Sequence, residues 1–75
     1  MTLNKKTVEE YLKEGCTLIV DEFHWYAKIK KNDEYLGTVV FKTYLKMNLK
    51  NFERVETDYF WMTGYKLKEG YSIWK

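Results

Sequence analysis

The sequence predicts an α+β domain in which a short N-terminal helix packs on an antiparallel sheet of four or five strands built from hairpins. Three observations predict this fold class: a helix-capping pattern near the N-terminus, a change to two-residue hydrophobic periodicity after residue 17, and turn formers between the periodic segments. A small SH3-like or OB-like barrel is the alternative. We rank the barrel lower because tightly curved sheets usually place more glycines at their corners, and this chain has four.

The predicted helix is marked by a capping signal at its start. Thr7 and Glu10 have the spacing of the capping box, in which the threonine hydroxyl and the glutamate carboxylate each satisfy a free backbone amide. Gly15 is placed to end the helix after about two turns, because glycine readily adopts the left-handed conformation of a helix C-terminus. The apolar residues between them have helical spacing and are expected to form one buried stripe: Val8, Tyr11 and Leu12.

The clearest predicted strand follows the helix. From residue 17 the hydrophobic period becomes two, and the alternation is most regular over residues 23–30, which indicates one buried and one wetted face. The expected buried set is Phe23, Trp25, Ala27 and Ile29. The expected wetted set is His24, Tyr26, Lys28 and Lys30.

A hairpin is expected to return the chain along this strand. Residues 31–34 are turn formers, and residues 35–41 have the composition of the returning arm. Because both faces of that arm are largely apolar, we expect it to lie in the interior of the sheet. Gly37 is expected to mark a bulge or a close backbone contact.

The next region has less regular periodicity. Residues 43–52 fit both a strand and a helix, and we favour a short helix. Residues 53–56 are expected to form a charged connection. Residues 57–63 are rich in aromatic side chains and threonine, which favours a strand that Gly64 interrupts.

The C-terminal residues predict a second hairpin. Residues 65–67 and 71–74 would be its arms, joined by a three-residue loop in which Gly70 takes the left-handed position. The chain has no internal repeat, no proline and no low-complexity linker. We therefore expect residues 1–75 to form one small globular domain.

Composition and motifs argue against several classes of function. The chain has one cysteine and one histidine, Cys16 and His24, which excludes an intrachain disulfide and supplies too few ligands for a structural zinc site. It contains no nucleophile, base and orienting group at catalytic spacing, and no glycine pattern of the kind that cradles phosphates. We therefore expect a non-enzymatic protein with no catalytic residues, metal or cofactor.

The aromatic content points to binding. Fourteen of the 75 residues are Trp, Tyr or Phe, which is more than one small core requires, so part of this aromatic surface is expected to face a partner. If Phe60 and Met62 face the core along a strand, the residues that alternate with them face the other way. The expected partner is another protein, with a second copy of this chain as one candidate. The predicted protein-binding residues are Tyr26, Tyr59, Trp61 and Trp74.

Single-stranded nucleic acid is the alternative partner. Residues 23–52 contain six lysines against two acidic residues, and bases can stack on aromatic rings while lysines follow the phosphates. The net charge is only +2, however, and the single arginine is Arg54, although arginine is the better residue for phosphate and base contacts. The predicted nucleic-acid-binding residues are Tyr26, Lys28, Lys30, Lys46 and Lys50.

The sequence also predicts a cytoplasmic protein. The N-terminal residues do not have the apolar core of a signal peptide, and the longest aliphatic run, Leu18–Val20, is far too short to span a bilayer. A lone thiol suits a reducing compartment. We therefore expect no membrane partner.

In its small size, absence of proline and preference for lysine over arginine, the chain resembles the small accessory proteins of phages and mobile elements. The resemblance is one of composition and includes no motif. It implies a protein that docks on a host enzyme or defence complex and inhibits it. The acidic residues that would then imitate nucleic-acid phosphates are Glu53, Glu56 and Asp58.

Overall fold

A helix packs on one face of a six-stranded mixed sheet in the computed structural model, which describes residues 2–24 and 26–75. The strands are β1 (Thr2–Leu3), β2 (Thr17–Asp21), β3 (Tyr26–Lys31), β4 (Glu34–Val39), β5 (Phe52–Val55) and β6 (Met62–Leu67). The helical segments are α1 (Lys5–Lys13), α2 (Phe41–Tyr44) and a 3-10 turn at Leu49–Asn51.

The strand order is β1-β4-β3-β2-β6-β5. In the part of the chain that the structure describes, β1 and β4 form a parallel pair and all other neighbouring strands are antiparallel. The predicted α+β class is therefore confirmed, but the sheet has six strands instead of four or five and is not wholly antiparallel. The sheet does not close on itself, so the fold is not the small barrel of the alternative prediction.

The helix α1 begins earlier than predicted. Asn4 is the N-cap residue, and its side-chain oxygen accepts a hydrogen bond from the amide of Thr7 at 2.8 Å. Thr7 lies inside the helix because an asparagine upstream caps at least as well as a threonine. The predicted buried stripe is present, with Val8 and Leu12 fully buried and Tyr11 partly buried beside them.

The hairpin of β2 and β3 has its turn where the long strand was predicted to begin. The Asp21 carboxylate accepts the backbone amides of Phe23 and His24, which takes these two residues out of the strand and into the turn. Phe23 is therefore exposed, and its predicted burial is wrong. Trp25 lies outside the described residues. The next two predicted inward residues are buried as expected: Ala27 and Ile29.

The predicted turn between β3 and β4 is confirmed, and Asn32 adopts a φ of 55° at its tip. The register of the two strands shifts at Leu36, the extra residue beside Gly37, so the predicted bulge is present. The interior position predicted for β4 holds for Thr38 and Val39, which pair with β1. The exposed first residues of β4 lie instead along the edge of the sheet.

The ambiguous region 43–52 is helical only in short pieces. Between α2 and the 3-10 turn, Met47 is buried and forms a β-bridge with Trp74, which requires extended backbone and prevents one continuous helix. The segment predicted as a charged connection is the strand β5. Its charged residues Glu53 and Arg54 stay exposed because β5 lies at the edge of the sheet, where charges protect against unwanted strand pairing.

The strand predicted over residues 57–63 is wrong in its first part, because residues 57–61 form a loop. The strand β6 begins at Met62 and runs through Gly64, which was expected to interrupt it. A Cβ atom at Gly64 would lie 2.8 Å from Cγ2 of Val55 on β5, so the close approach of these strands explains the glycine.

The C-terminal segment departs from the predicted second hairpin. Gly15 and Gly70 have φ angles of 98° and 84°, so both predicted left-handed glycines are confirmed. After Gly70, however, the chain crosses to the core instead of returning along β6. Ile73 is fully buried there, and Trp74 pairs with Met47.

Apolar side chains fill the space between α1 and one face of the sheet. This core consists of Leu3, Val8, Leu12, Cys16, Leu18, Ala27, Ile29, Val39, Met47, Phe52 and Ile73. The residues that alternate with them along the central strands form the second face: Ile19, Tyr26, Lys28, Lys30 and Met62. Within residues 2–24 and 26–75, no helix has the length and apolar character needed to cross a lipid bilayer.

Candidate functional site

Two loops meet at one end of the sheet. The turn 22–24 follows β2, and the loop 56–61 precedes β6, so the pairing of β2 with β6 brings the two loops side by side. The amide of Glu22 donates a hydrogen bond to the carbonyl oxygen of Trp61 at 3.2 Å. Aromatic residues from the two loops are thereby held together.

Asp21 fixes the shape of the turn 22–24. One oxygen of its buried carboxylate accepts the amides of Phe23 at 3.0 Å and His24 at 3.1 Å, and the other lies 2.9 Å from Nδ1 of His24. Burial by itself raises the pKa of Asp21. The hydrogen bonds from the His24 ring and the two amides together lower it by more than burial raises it, so the pKa lies below its usual value of 3.8. The ionised carboxylate thus holds the backbone that carries Phe23.

Hydrogen bonds also close the loop 56–61. The hydroxyl oxygen of Thr57 lies 2.8 Å from the carbonyl oxygen of Tyr59 and 2.7 Å from that of Met62. The amide of Met62 donates to the carbonyl oxygen of Tyr59 at 3.1 Å. The loop is therefore a tight turn, and its aromatic side chains project away from the sheet core.

Four rings from these two loops form a surface group that we name the aromatic cluster: Phe23, Tyr59, Phe60 and Trp61. Tyr59 stacks on Trp61 with ring centroids 4.6 Å apart and planes at 26°. Phe60 meets Trp61 edge to face at 5.1 Å and 85°, and Phe23 lies 6.3 Å away. These distances are within the range of favourable aromatic pairs.

The aromatic cluster is largely open to solvent. Phe60 is 89% exposed, Phe23 is 66% exposed and Tyr59 is 50% exposed, while the central Trp61 is partly buried. Contact among the rings therefore leaves most of their surface in water. A contiguous exposed apolar surface on a small domain is typical of a binding site.

The structure brings three of the four predicted protein-binding residues to the same end of the sheet. Tyr59 and Trp61 are members of the aromatic cluster. Tyr26 pairs with Asp21, which in turn pairs with Met62 at the end of the loop 56–61. Tyr59 and Trp61 were predicted from the side-chain alternation of a strand. They lie instead in a loop, where that alternation is absent.

Trp74 does not join the other three. Its indole Nε1 donates a hydrogen bond to Oε1 of Glu9 at 2.8 Å, and Nζ of Lys5 lies 4.9 Å from the centre of its ring. Both of these partners belong to α1. Trp74 therefore attaches the C-terminal segment to the helix.

Three of the predicted nucleic-acid-binding residues share the second face of the sheet. Nζ of Lys28 lies 5.0 Å from the ring centre of Tyr26 and 5.2 Å from that of Tyr35, and Nζ of Lys30 lies 5.6 Å from that of Tyr35. The ammonium groups thus occupy ring faces on which a base would have to stack.

The other two predicted nucleic-acid-binding residues lie elsewhere. Lys46 and Lys50 belong to the segment between α2 and β5, which packs against the core through Met47 and Leu49. The core is on the opposite face of the sheet from Tyr26. The five predicted residues therefore do not form one continuous surface.

A groove of about 300 Å³ runs along the second face beside the aromatic cluster. Its aromatic sides are Tyr35 and Tyr59. Its charged lining consists of Lys30, Lys66, Glu56 and Asp58. The mixture of charges differs from the uniformly basic channel expected for single-stranded nucleic acid.

The described residues contain no group of three His, Cys, Asp or Glu side chains placed to hold a metal ion. The thiol of Cys16 is free and buried in the core. Burial and then the charge of Glu14 raise the pKa of this thiol, against a smaller lowering by Lys31 and Lys66. A thiol with a raised pKa is a poor nucleophile at neutral pH, so Cys16 acts as a packing residue.

Sequence reasoning missed Phe23, which was expected to be buried, and Phe60, which was expected to face the core if residues 57–63 formed a strand. Both assignments continued strand alternation through positions that form turns. Asp21 was the available signal for Phe23, because an aspartate often accepts the amide two residues further on. The turn at Phe60 is closed by the Thr57 hydroxyl, which donates to the carbonyl oxygens of Tyr59 and Met62, but threonine is equally typical of strands and so gave no clear signal of a turn.

The fold and the site define a small α+β domain that presents an aromatic cluster beside a groove of mixed charge. Comparison of the chain with protein-family models, with curated proteins and with solved structures finds no match.

Proposed function

We propose that this protein is a non-enzymatic binding protein that docks on another protein through the aromatic cluster. The observation that carries the proposal is the gathering of Phe23, Tyr59 and Phe60 around Trp61 in one exposed apolar surface. Aromatic residues dominate the binding energy of protein interfaces because they bury a large area at a small cost in side-chain entropy.

The charges beside the cluster also favour a protein partner. Lys30 and Lys66 line the groove together with Glu56 and Asp58, and the groove is continuous with Tyr59 of the cluster. An apolar centre bordered by charges of both signs matches the core and rim of a protein interface. Because the two acidic residues offset the two lysines, the groove has no net positive charge to attract a nucleic-acid backbone.

In the proposed role the protein acts by occupying a surface of its partner, as an accessory protein or inhibitor of the phage or mobile-element type. A second copy of this chain is an alternative partner, since a symmetric dimer would place one cluster against another. We place the protein in the cytoplasm, in keeping with the free thiol of Cys16.

Single-stranded nucleic acid is the second candidate partner. The observation that favours it is the arrangement of Lys28 between Tyr26 and Tyr35 on the second face. Binding of this kind would weaken steeply as salt is added, because phosphate contacts release counterions. It would also depend on Lys28 and Lys30 and not on the aromatic cluster.

The proposal is tested with the variants Phe60→Ser and Tyr59→Ser and the matched control Tyr71→Ser. Tyr71 is 54% exposed and packs with Lys68 outside the cluster. Proteins captured from the native host by the wild-type chain are purified and their affinities for all variants are measured. Each cluster variant is expected to bind about 30-fold more weakly, the equivalent of a hot-spot loss of about 2 kcal/mol, and the control is expected to bind normally.

Sedimentation of the same variants tests self-association. A dimer that dissociates in Phe60→Ser and persists in Tyr71→Ser would identify the second copy as the partner. Equal affinity and equal oligomeric state for the cluster variants and the control would refute the proposal. Oligonucleotide binding that is lost in Lys28→Ala but retained in Phe60→Ser would favour the nucleic-acid alternative.

A further inference from the structure

A cleft of about 340 Å³ lies beside the turn 22–24, between the ends of the central strands and α2. Its lining consists of Val20, Asp21, Glu22, Tyr26, Ala27, Phe41, Tyr44 and Tyr65. Pockets that bind small ligands begin at about 300 Å³. The cleft is therefore large enough for one long side chain of a partner.

The walls of the cleft are electron-rich. Phe41 and Tyr44 on α2 are stacked with ring centroids 6.5 Å apart and planes at 29°, and Tyr65 lies on the adjacent strand β6. The face of an aromatic ring attracts cations. Burial, followed by the charges of Tyr65 and Glu22, raises the pKa of Tyr44, so its hydroxyl stays protonated at neutral pH.

Glu22, an exposed residue, contributes its carboxyl group to the lining of the cleft. The other acid of the lining, Asp21, is already bonded to His24 and to backbone amides. Among the described residues, the structure shows no ion pair to Glu22, and the described lining contains no lysine or arginine. Arg54 is the cross-strand neighbour of Tyr65 but does not line the cleft. The cleft is thus complementary to a cation that the chain itself does not supply.

We propose that this cleft receives the guanidinium group of an arginine side chain belonging to the protein that docks on the aromatic cluster. This inference rests on the function proposed above. A guanidinium group is planar, stacks on aromatic faces and forms paired hydrogen bonds with a carboxylate, so it uses both the rings and Glu22. The ammonium group of lysine is compact and strongly hydrated, and it makes poorer use of the ring walls.

The position of the cleft fits a single partner surface. Glu22 lines the cleft and Phe23, the next residue, belongs to the aromatic cluster, so the turn 22–24 is shared by both sites. Phe41, on the wall formed by α2, is 51% exposed, so a partner lying over the cleft can contact its ring. A partner that covers Phe23 would therefore place neighbouring side chains over the cleft.

The test is an NMR titration of the isotope-labelled full chain with N-acetyl-arginine methylamide. The neutral citrulline analogue and the lysine analogue are titrated in parallel. The arginine analogue is expected to shift the amide signals of the cleft residues. The citrulline analogue is expected to bind about tenfold more weakly because the charge-assisted bond to Glu22 is lost.

Variants assign the binding to the cleft. Glu22→Gln is expected to weaken arginine binding about tenfold, whereas the matched control Glu34→Gln, an exposed acid on β4, is expected to leave it unchanged. Phe41→Ala removes one ring wall and is expected to weaken binding about threefold. Dispersed NMR spectra check that each variant is folded.

The outcomes separate this inference from the proposed function. Phe60→Ser is expected to bind the protein partner about 30-fold more weakly while binding the arginine analogue normally. Shifts outside the cleft, or normal arginine binding by both Glu22→Gln and Phe41→Ala, would overturn the inference without affecting the role of the cluster. Equal affinity for the lysine analogue would overturn the assignment to guanidinium.

Discussion

Replacing Gly64 with alanine tests the close packing that supports the loop 56–61. A Cβ atom at this position would lie 2.8 Å from Cγ2 of Val55, 3.1 Å from the carbonyl oxygen of Val55 and 3.2 Å from Cγ2 of Thr57. The side chain of Val55 is β-branched and moves only with difficulty, and the carbonyl belongs to the β5 backbone. The strands must therefore separate slightly to accept the methyl group.

The expected cost of Gly64→Ala follows from two opposing effects. Overpacking of a closely packed site costs about 1 to 3 kcal/mol. Alanine also restricts the unfolded chain, which raises the free energy of unfolding by about 0.4 to 1 kcal/mol where the backbone conformation suits alanine. We expect a net loss of about 1 to 2 kcal/mol in the free energy of unfolding, or a fall in Tm of about 5 to 10 °C.

Urea unfolding followed by tryptophan fluorescence measures this loss, and a double-mutant cycle identifies its cause. Val55→Ala removes the Cγ2 atom that meets the new methyl group, so the double variant is expected to be about 1 kcal/mol more stable than the sum of the single effects. Gly70→Ala serves as the control because a Cβ atom there has open space around it and its strain comes from a φ of 84°. A Gly64→Ala variant as stable as the wild type, or a cycle with no coupling, would refute the reasoning.

Two further substitutions test the contacts that hold the site and the C-terminus. Asp21→Asn retains an acceptor for the turn amides but no charge. Because the folded pKa of Asp21 is below its usual 3.8, the stabilisation by the carboxylate is complete above that value and is lost as pH falls through the folded pKa. The difference in unfolding free energy between wild type and Asp21→Asn should therefore shrink in acid, and a difference independent of pH would contradict the role given to Asp21. Trp74→Phe removes the 2.8 Å hydrogen bond to Glu9 and is expected to lose about 0.5 to 1.5 kcal/mol in thermal unfolding. Glu9→Gln keeps a hydrogen-bond acceptor for Trp74 and is expected to lose less unfolding free energy than Trp74→Phe. Equal stability of wild type and Trp74→Phe would show that the hydrogen bond contributes nothing.

Part of the candidate site could be predicted from the sequence. The surplus of aromatic residues correctly indicated exposed rings, and Tyr59 and Trp61 lie in the aromatic cluster. Phe60 is 89% exposed, whereas strand alternation would have placed it toward the core if residues 57–63 had formed a strand instead of a loop. The cleft with Glu22 could not be predicted, because its walls come from segments that meet only when the sheet is assembled.

The sequence by itself determined the features that depend on a few neighbouring residues. The buried stripe of α1, the turn at Asn32 and the left-handed Gly15 and Gly70 all follow from local backbone and side-chain preferences. Tertiary structure alone decided the parallel pairing of β1 with β4, the formation of β5 and the burial of Ile73. These features depend on which distant apolar surfaces pack together. The free energy of burying the whole core determines that packing, and it cannot be predicted from neighbouring residues alone.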